Sequence, residues 1–422
     1  MKTWLTVLVA LVVSVMLTAV PAAGQQVSSE LKNRANQLTS LFRDEVQADE
    51  LFTPAFLAQA PATRLGAISA QLRTQHGAVR GLNRIEPRSA TAGTVYVDFE
   101  RATLRLNLSI EPEAPHRIAG LLITGLGVRG DSFAAIVGEF RNLPGSASFT
   151  VARLGNAPAY LAGYEAQRPM AVGSAFKLFV LAELSRQVRA GERRWSDVVT
   201  LDRKSLPSGQ LQSWPDGSPL TLHSLAALMI SVSDNTAADM LLHVLGRENV
   251  ERMVGTIGVR AAARDRPFLS TREAFALKRG GPEAIRRWAA ADEDGKRAIL
   301  KNLAGAPLGA RAGDGPIGIE EAEWFASAED MVRTMDWLRQ NGDDKALAIL
   351  AINPVIGRDL AREFGYLGVK GGSEPGVINL TFLVRSRSGA WHAVVGSWNN
   401  SAAAVDDTAF VTLMTRAVQL IR

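Results

Sequence analysis

The chain has 422 residues, of which 47% are apolar and 21% charged, and its formal net charge is +5. These values are typical of a folded globular protein with room for about two domains, and they exclude a disordered or collagen-like chain. Cysteine is absent, which excludes disulfides, thiolate metal sites, cysteine nucleophiles and a lipid anchor on an acylated cysteine. The basic residues form no long run, so we expect no nucleic-acid partner.

Residues 1–24 have the pattern of a secretory signal peptide. Lys2 supplies the positive start, the stretch from Trp4 to Val20 is almost entirely apolar, and small residues follow up to Gly24. The apolar run is short for a membrane span, and an uncleaved N-terminal anchor is the alternative. We therefore expect a periplasmic or secreted protein that contacts a membrane only through this segment, if it is retained.

Residues 25–126 are predicted to form a small α+β domain. Helices are expected first and strands after them, because the pattern changes from helical spacing to alternation. The predicted helices are Ser29–Ala48, Pro54–Ala60 and Ala62–Arg73, and the predicted strands are Gly93–Phe99, Thr103–Ile110 and Arg117–Thr124. This order resembles the cone-shaped steroid-isomerase type of fold. A packing or spacer domain without chemistry is the alternative.

Residues 127–422 are predicted to form the second domain, after the glycine-rich boundary Gly125–Gly130. Strands are expected near both ends of this part, with helices between them. The predicted strands are Ser146–Leu154, Ala159–Tyr164, Tyr366–Gly371, Val377–Ser386 and Ala390–Trp398; the predicted helices include Asp131–Arg141, Ala171–Leu184, Leu220–Leu245 with one polar break, a glycine-, alanine- and arginine-rich helical insertion at 280–320, and Asp406–Ile421.

Ser174 and Lys177 lie one helical turn apart at the start of the apolar helix Ala171–Leu184. At this spacing the lysine amine can reach the serine hydroxyl and, if burial keeps it neutral, take its proton. The free N–H groups of a helix start can also stabilise an oxyanion. The pair alone is weak support for a site, because Ser29 and Lys32 have the same spacing in a solvated helix.

Two further motifs follow Ser174. The tripeptide Ser233–Asn235 interrupts an apolar helical stretch, and Lys370–Ser373 ends a predicted strand. Ser-x-x-Lys, Ser-Asp-Asn and Lys-x-Gly in this order resemble the motifs of the penicillin-recognising serine enzymes, in particular the class A β-lactamases. The resemblance covers roughly residues 131–422. It implies an α+β fold of the β-lactamase/transpeptidase type, with an antiparallel five-stranded sheet, flanking helices and an all-α part.

The resemblance also implies a role for each motif residue. The nucleophile would be Ser174, with Lys177 as the base, Ser233 as the proton relay to the leaving nitrogen, and Lys370 polarising that relay and attracting a substrate carboxylate. The oxyanion would be bound by the N–H groups of Ser174 and Ser373. The expected substrate-binding residues are Asn235, Gly372, Ser373 and Trp214.

The sequence departs from the family pattern in ways that affect deacylation and substrate binding. Gly371 stands where the family has serine or threonine, and we expect Ser373 to supply the missing hydroxyl. Pro207–Gly209 stands where the cleft wall usually has an aromatic residue, for which Trp214 is the candidate substitute. Glu273 is the candidate deacylation base, but it lacks the usual continuation, and a capping-box partner of Ser270 is the alternative.

The sequence therefore predicts a secreted serine hydrolase that forms an acyl-enzyme and hydrolyses β-lactam amides or related esters and amides. The alternative is a penicillin-binding or ligand-sensing envelope protein that acylates slowly and turns over little; an envelope scaffold is a third hypothesis. We expect a small-molecule partner, namely a β-lactam, an ester or a peptidoglycan-like compound, and no cofactor. None of the five histidines has metal-ligand spacing, so no metal site is expected.

Overall fold

A computed structural model describes residues 26–206, 208–303 and 315–421. The expected signal segment lies outside the described residues. The chain divides into two compact units, the first comprising the chain up to Glu100 together with Leu106–Ile123, and the second comprising Arg101–Arg105 and Thr124–Arg422. None of the described helices combines the length and the apolar character needed to cross a bilayer.

The first unit has helices followed by the greater part of a four-stranded sheet, whose strands lie side by side in chain order. The third strand, β3 (Ala102–Ile110), alternates strictly between buried and half-buried residues, as a strand with one face on a core should. The helices are α1 (Ser29–Phe42), α2 (Ala48–Leu51), α3 (Pro54–Gln59) and α4 (Ala62–His76), and the strands are β1 (Val79–Pro87), β2 (Ala92–Phe99), β3 (Ala102–Ile110) and β4 (Ile118–Val128).

Two sequence expectations for this part were wrong. The first helix ends at Phe42 and not at Ala48, because Asp44 takes a left-handed backbone conformation with φ of 67° and the chain turns there. Strand β1 was missed, because its residues lack a clean alternation and its pairing with β2 is interrupted by two register shifts.

The second unit contains a five-stranded antiparallel sheet whose strands lie in the order β11 (Tyr366–Glu374), β12 (Val377–Arg385), β13 (Trp391–Asn399), β5 (Ser146–Leu154) and β6 (Ala159–Tyr164). Strands from the two ends of this unit therefore share one sheet, which confirms the predicted fold. The strands of the unit are β5 (Ser146–Leu154), β6 (Ala159–Tyr164), β7 (Met170–Ala171), β8 (Val198–Thr200), β9 (Pro219–Thr221), β10 (Phe325–Ala326), β11 (Tyr366–Glu374), β12 (Val377–Arg385) and β13 (Trp391–Asn399).

Twelve α-helices of this unit lie within the described residues; some of them cover the two faces of the sheet, and the others form a helical part beside it. The twelve helices are α5 (Phe133–Arg141), α6 (Lys177–Arg189), α7 (Leu222–Ser231), α8 (Asn235–Leu245), α9 (Arg247–Ile257), α10 (Thr271–Arg279), α11 (Gly281–Ala290), α12 (Glu293–Leu303), α13 (Ala328–Asn341), α14 (Asp344–Leu350), α15 (Arg358–Ala361) and α16 (Asp407–Gln419). The predicted insertion at 280–320 supplies α11 and α12, and residues 304–314 lie outside the described part.

Two apolar cores hold these layers together. On one face of the sheet, α5 and α16 pack through Phe140 and Phe410, and Phe140 stacks on Phe149 of β5 at 4.7 Å between ring centroids. The other core surrounds α6, whose residues from Lys177 to Leu184 are all buried. Since an ordinary surface helix buries only one stripe, α6 is a central element, and the turn before it lies between sheet and helices.

Candidate active site

The helix predicted to begin at Ala171 begins instead at Lys177, because Ala171 belongs to β7. Ser174 lies before the helix in a short 3-10 turn, Gly173–Phe176, which leads directly into α6. Gly173 has φ of 49°, a conformation that glycine adopts without steric cost. Trp324 supports this turn through two contacts. Its ring stacks on the ring of Phe176 with 3.8 Å between centroids, and its carbonyl oxygen accepts a hydrogen bond from the Val172 N–H at 3.0 Å. The serine is thus presented on a rigid turn.

Lys177 is fully buried and its Nζ donates to three different residues. Nζ lies 3.2 Å from Ser174 Oγ and 2.7 Å from Asn235 Oδ1. It also lies 2.7 Å from the Ser233 carbonyl and 3.1 Å from Ser233 Oγ. The first two sequence motifs therefore meet at one amine.

Burial, and after it the charge of Lys370, favours a neutral amine on Lys177. Burial lowers the pKa of Lys177 well below its ordinary value, and the nearby positive charge of Lys370 lowers it further. Burial also lowers the pKa of Lys370, to about 7. A neutral Lys177 can accept the hydroxyl proton of Ser174, which a solvated lysine at neutral pH could not do.

Ser233 Oγ lies between the two lysines, 3.1 Å from Nζ of Lys177 and 3.1 Å from Nζ of Lys370. Its backbone is left-handed with φ of 56°, a strained conformation for a residue with a side chain. Asp234 fixes this loop, since its carboxylate accepts from three backbone N–H groups, those of Gln210, Leu211 and Ala237, at 2.7–2.9 Å. Asp234 therefore braces the loop and is not directed at the serine.

Strand β11 brings the third motif against the serine turn. A Cβ atom added to Gly372 would lie 2.4 Å from the Ser174 backbone nitrogen, and one added to Gly173 would lie 3.5 Å from that of Ser373. The amides of Ser174 and Ser373 therefore lie close to the place where the turn meets the strand, which we call the gap beside Ser174. Two such N–H groups are the usual donors of an oxyanion hole. The Ser373 residue itself is exposed to solvent.

The structure thus gathers most of the predicted site around Ser174. Nζ of Lys177 is within hydrogen-bonding distance of Ser174, Ser233 and Asn235, and Nζ of Lys370 is within hydrogen-bonding distance of Ser233. Acyl transfer to a serine needs a hydroxyl, a basic group and hydrogen-bond donors gathered in this way. The residues brought together are Ser174, Lys177, Ser233, Asn235, Lys370, Gly372 and Ser373. Their individual roles remain predictions.

Two predicted residues have no hydrogen bond to this group within the described residues. Glu273 makes a capping box with Ser270 and a two-point ion pair with Arg247, with N–O distances of 2.7 and 3.0 Å. The capping-box alternative is confirmed, and these partners occupy the carboxylate. Trp214 is 39% exposed. Neither the base role of Glu273 nor the wall role of Trp214 gains support from these contacts.

Sequence reasoning missed several residues that support the site. Asp239 accepts from the N–H groups of Thr271 and Arg272 at 2.7 and 3.0 Å and so fixes the start of α10. Thr271 Oγ1 in turn donates to the Asn235 carbonyl at 3.3 Å. Asp239 lies four residues after Asn235 on α8, and this helical spacing is the signal that could have indicated it.

No cluster of side chains suited to hold a metal ion occurs within the described residues. The buried polar groups at Ser174 are instead lysine amines, hydroxyls and an amide, which are donors and acceptors for an organic substrate.

Comparison with solved structures gave the following similar chains. The β-lactamase from Sphaerobacter thermophilus is 22% identical, with 68% of this chain and 95% of that chain covered and a TM-score of 0.47. A mutant of PBP-A in an acyl-enzyme complex with penicillin G is 15% identical, covering 68% and 94%, with a TM-score of 0.47. A β-lactamase from Chitinophaga pinensis is 17% identical, covering 68% and 96%, with a TM-score of 0.46.

A search of curated proteins gave no match. The family model described as the β-lactamase enzyme family matches residues 131–379, which is more than half of the chain and contains all three motifs. The chain belongs to the β-lactamase enzyme family.

Proposed function

We propose that the second unit is a serine hydrolase that forms an acyl-enzyme on Ser174 and hydrolyses β-lactam amides or related esters and amides. The observation that carries the proposal is the 3.2 Å distance between Nζ of Lys177 and Oγ of Ser174, with the lysine fully buried. A buried amine with a lowered pKa next to a hydroxyl is the combination that activates a serine without histidine.

In the acylation step, Lys177 takes the proton of Ser174 as Oγ attacks the substrate carbonyl. The N–H groups of Ser174 and Ser373 hold the negative oxygen of the tetrahedral intermediate. Ser233 then donates its proton to the leaving nitrogen or oxygen as the carbonyl–heteroatom bond breaks, and it recovers a proton from the lysines on either side of its hydroxyl. Water cleaves the resulting ester in the second half of the cycle.

Lys370 supplies the charge that this cycle needs on the leaving-group side. When protonated, it donates to Ser233 Oγ and attracts a carboxylate such as the one that β-lactams carry. The exposed Ser373 hydroxyl and the Asn235 amide are the proposed further contacts to substrate. Gly371 has no side chain to offer there, so Ser373 takes over the role of the missing hydroxyl.

The contacts of Glu273 favour a second candidate, a penicillin-binding or ligand-sensing protein that deacylates slowly. Because its carboxylate is bound by Arg247 and by the Ser270 N–H, Glu273 is not available to activate water without breaking these bonds. Acylation needs only the groups around Ser174, whereas fast deacylation also needs a base for water. The two candidates therefore differ in the lifetime of the acyl-enzyme.

The proposed setting is the periplasm or the outside of a bacterial cell, with a small-molecule partner. This rests on the signal-like pattern of residues 1–24. For the first unit, the order of helices before a four-stranded sheet supports a steroid-isomerase-like domain. Fractionation of cells that express the full chain tests the location: we expect the protein outside the cytoplasm, and retention in the cytoplasm would overturn it.

Hydrolysis assays test the proposed activity. Purified protein is mixed with a panel of β-lactams and nitrophenyl esters, and product release is followed by absorbance beside the Ser174→Ala variant. We expect release that depends on Ser174. A single stoichiometric burst without further turnover would select the slowly deacylating candidate, and release that is equal in the variant would overturn both.

A further inference from the structure

Lys278 is a buried lysine outside the serine site that is bonded to two carboxylates. Its Nζ donates to Glu323 Oε1 and to Glu374 Oε1. Lys278 belongs to α10, Glu323 lies just before β10, and Glu374 is the last residue of β11. Lys278 is 8% exposed and Glu323 4%. One amine thus ties together three segments that are distant in sequence; we call these residues the Lys-Glu-Glu cluster.

The cluster contains one ammonium group and two carboxyl groups in a largely buried place. Burial raises the pKa of Glu374 well above its ordinary value, and the charge of Glu323 raises it further. Burial disfavours the ammonium of Lys278, but the two acidic partners outweigh burial and raise its pKa. Oε2 of Glu323 is buried and accepts no hydrogen bond within the described part of the chain. A proton on Glu374 provides a donor next to that carboxylate and makes the cluster neutral overall.

Both glutamates adjoin the backbone that forms the gap beside Ser174. Glu374 directly follows Ser373 and lies on the same face of β11 as Gly372, which touches the serine turn. Glu323 directly precedes Trp324, the residue that supports the turn through Phe176 and Val172. The cluster therefore anchors both elements that supply the oxyanion donors, the turn through Glu323 and the strand through Glu374.

We propose that Glu323 and Glu374 share a single proton and, bridged by Lys278, are positioning residues that set the spacing between the Ser174 and Ser373 amides. The inference builds on the proposed acylation of Ser174. It has a specific consequence: the cluster needs one negative charge and not two. Either glutamate can then be replaced by its uncharged amide, but the two cannot be replaced together, because Lys278 would be left buried without a counter-charge.

Single and double amide variants test the charge count. We expect Glu374→Gln and Glu323→Gln each to keep the wild-type melting temperature and an acylation rate within about threefold of the wild type. In the double variant, we expect the fall in melting temperature and in acylation rate to be much larger than the sum of the two single effects. Acylation is measured by stopped flow with a chromogenic cephalosporin, and stability by thermal unfolding. Two outcomes would overturn the proposal of a shared proton. One is that each single variant loses a similar amount of stability and the double variant loses their sum; the other is that the double variant behaves like the wild type.

A triple variant tests the positioning itself. Lys278→Met combined with both amide replacements removes every charge, so it avoids the isolated ammonium and is expected to fold. We expect its limiting acylation rate to fall by about tenfold or more at unchanged substrate affinity, because a displaced oxyanion donor acts on the transition state. A triple variant that folds and acylates at the wild-type rate would overturn the positioning role. Absence of acylation in the wild type would overturn the proposed function instead. The melting temperatures of the single and double amide variants would then still test whether Glu323 and Glu374 share a proton.

Discussion

Gly372 and Ser174 approach each other so closely that a Cβ atom on the glycine would lie 2.4 Å from the serine nitrogen and 2.2 Å from the Val172 carbonyl oxygen. Real Cβ atoms practically never approach another heavy atom that closely. The second glycine of the Lys-Gly-Gly motif is therefore required by packing, because it lets β11 lie against the turn that carries the nucleophile. The gap beside Ser174 depends on this contact.

We predict that Gly372→Ala impairs acylation by about 10²-fold or more, because the methyl group must push β11 or the serine turn out of place and separate the two amide donors. The rate of acyl-enzyme formation measures the effect. Gly138→Ala is the matched control, since that glycine lies within α5 and an added Cβ meets nothing within 4 Å. Wild-type acylation in Gly372→Ala would show that the gap is not the oxyanion site.

Lys177→Met is predicted to lower the acylation rate by about 10²–10⁴-fold, the range typical for loss of a general base. The methionine fills the same buried space without an amine, so folding is expected to persist. Lys32→Met is the matched control, because Lys32 follows Ser29 at the same spacing in α1 but is exposed. If both variants acylate like the wild type, the spacing of Ser174 and Lys177 has no catalytic meaning.

The two lysines also predict how acylation depends on pH. Lys177 must be neutral, so the rate rises as pH passes upward through its lowered pKa. Lys370 must be protonated, so the rate falls as pH rises through its pKa of about 7. We expect kcat/KM for acylation to be bell-shaped, with the alkaline limb starting near pH 7.

Lys370→Arg checks this assignment, since a guanidinium stays charged throughout the accessible range. In this variant the alkaline limb is expected to disappear or to move upward by more than a pH unit, even if the absolute rate is lower. An alkaline limb that is unchanged in Lys370→Arg would assign the falling limb to another group.

Glu273→Gln is predicted to leave deacylation unchanged. The amide oxygen can still accept from Ser270, but the ion pair with Arg247 is lost, so we expect the free energy of unfolding to fall by about 1–3 kcal/mol. Single-turnover decay of the acyl-enzyme, measured beside a denaturation curve, gives both quantities. A drop in the decay rate of about 10²-fold without loss of stability would instead identify Glu273 as the base.

Much of the second unit could be predicted because its signals are local. The strands have either alternating apolar and polar residues or an unbroken apolar run. The three motifs lie at the ends of helices and strands, and these ends meet in the fold. The capping box of Ser270 and Glu273 was also readable from four consecutive residues. Strand β1 was not predictable in the same way, because bulges break its alternation.

The Lys-Glu-Glu cluster could not be predicted from sequence because its three members have no common spacing. Lys278 and Glu374 are 96 positions apart, and Glu323 lies between them outside any helix or strand. Nothing in a local pattern distinguishes these charges from solvated ones. Only the folded chain brings these three side chains together and removes Lys278 and Glu323 from water, where a buried charge needs a partner.

The most direct measurement is intact-mass spectrometry of the protein after mixing with a chromogenic cephalosporin, beside the Ser174→Ala variant. We expect a mass increase equal to the acyl group on the wild type, located on Ser174 by peptide mapping, and none on the variant. An adduct that persists on Ser174→Ala, or a wild type that shows no adduct and no turnover with any β-lactam or activated ester, would contradict this expectation.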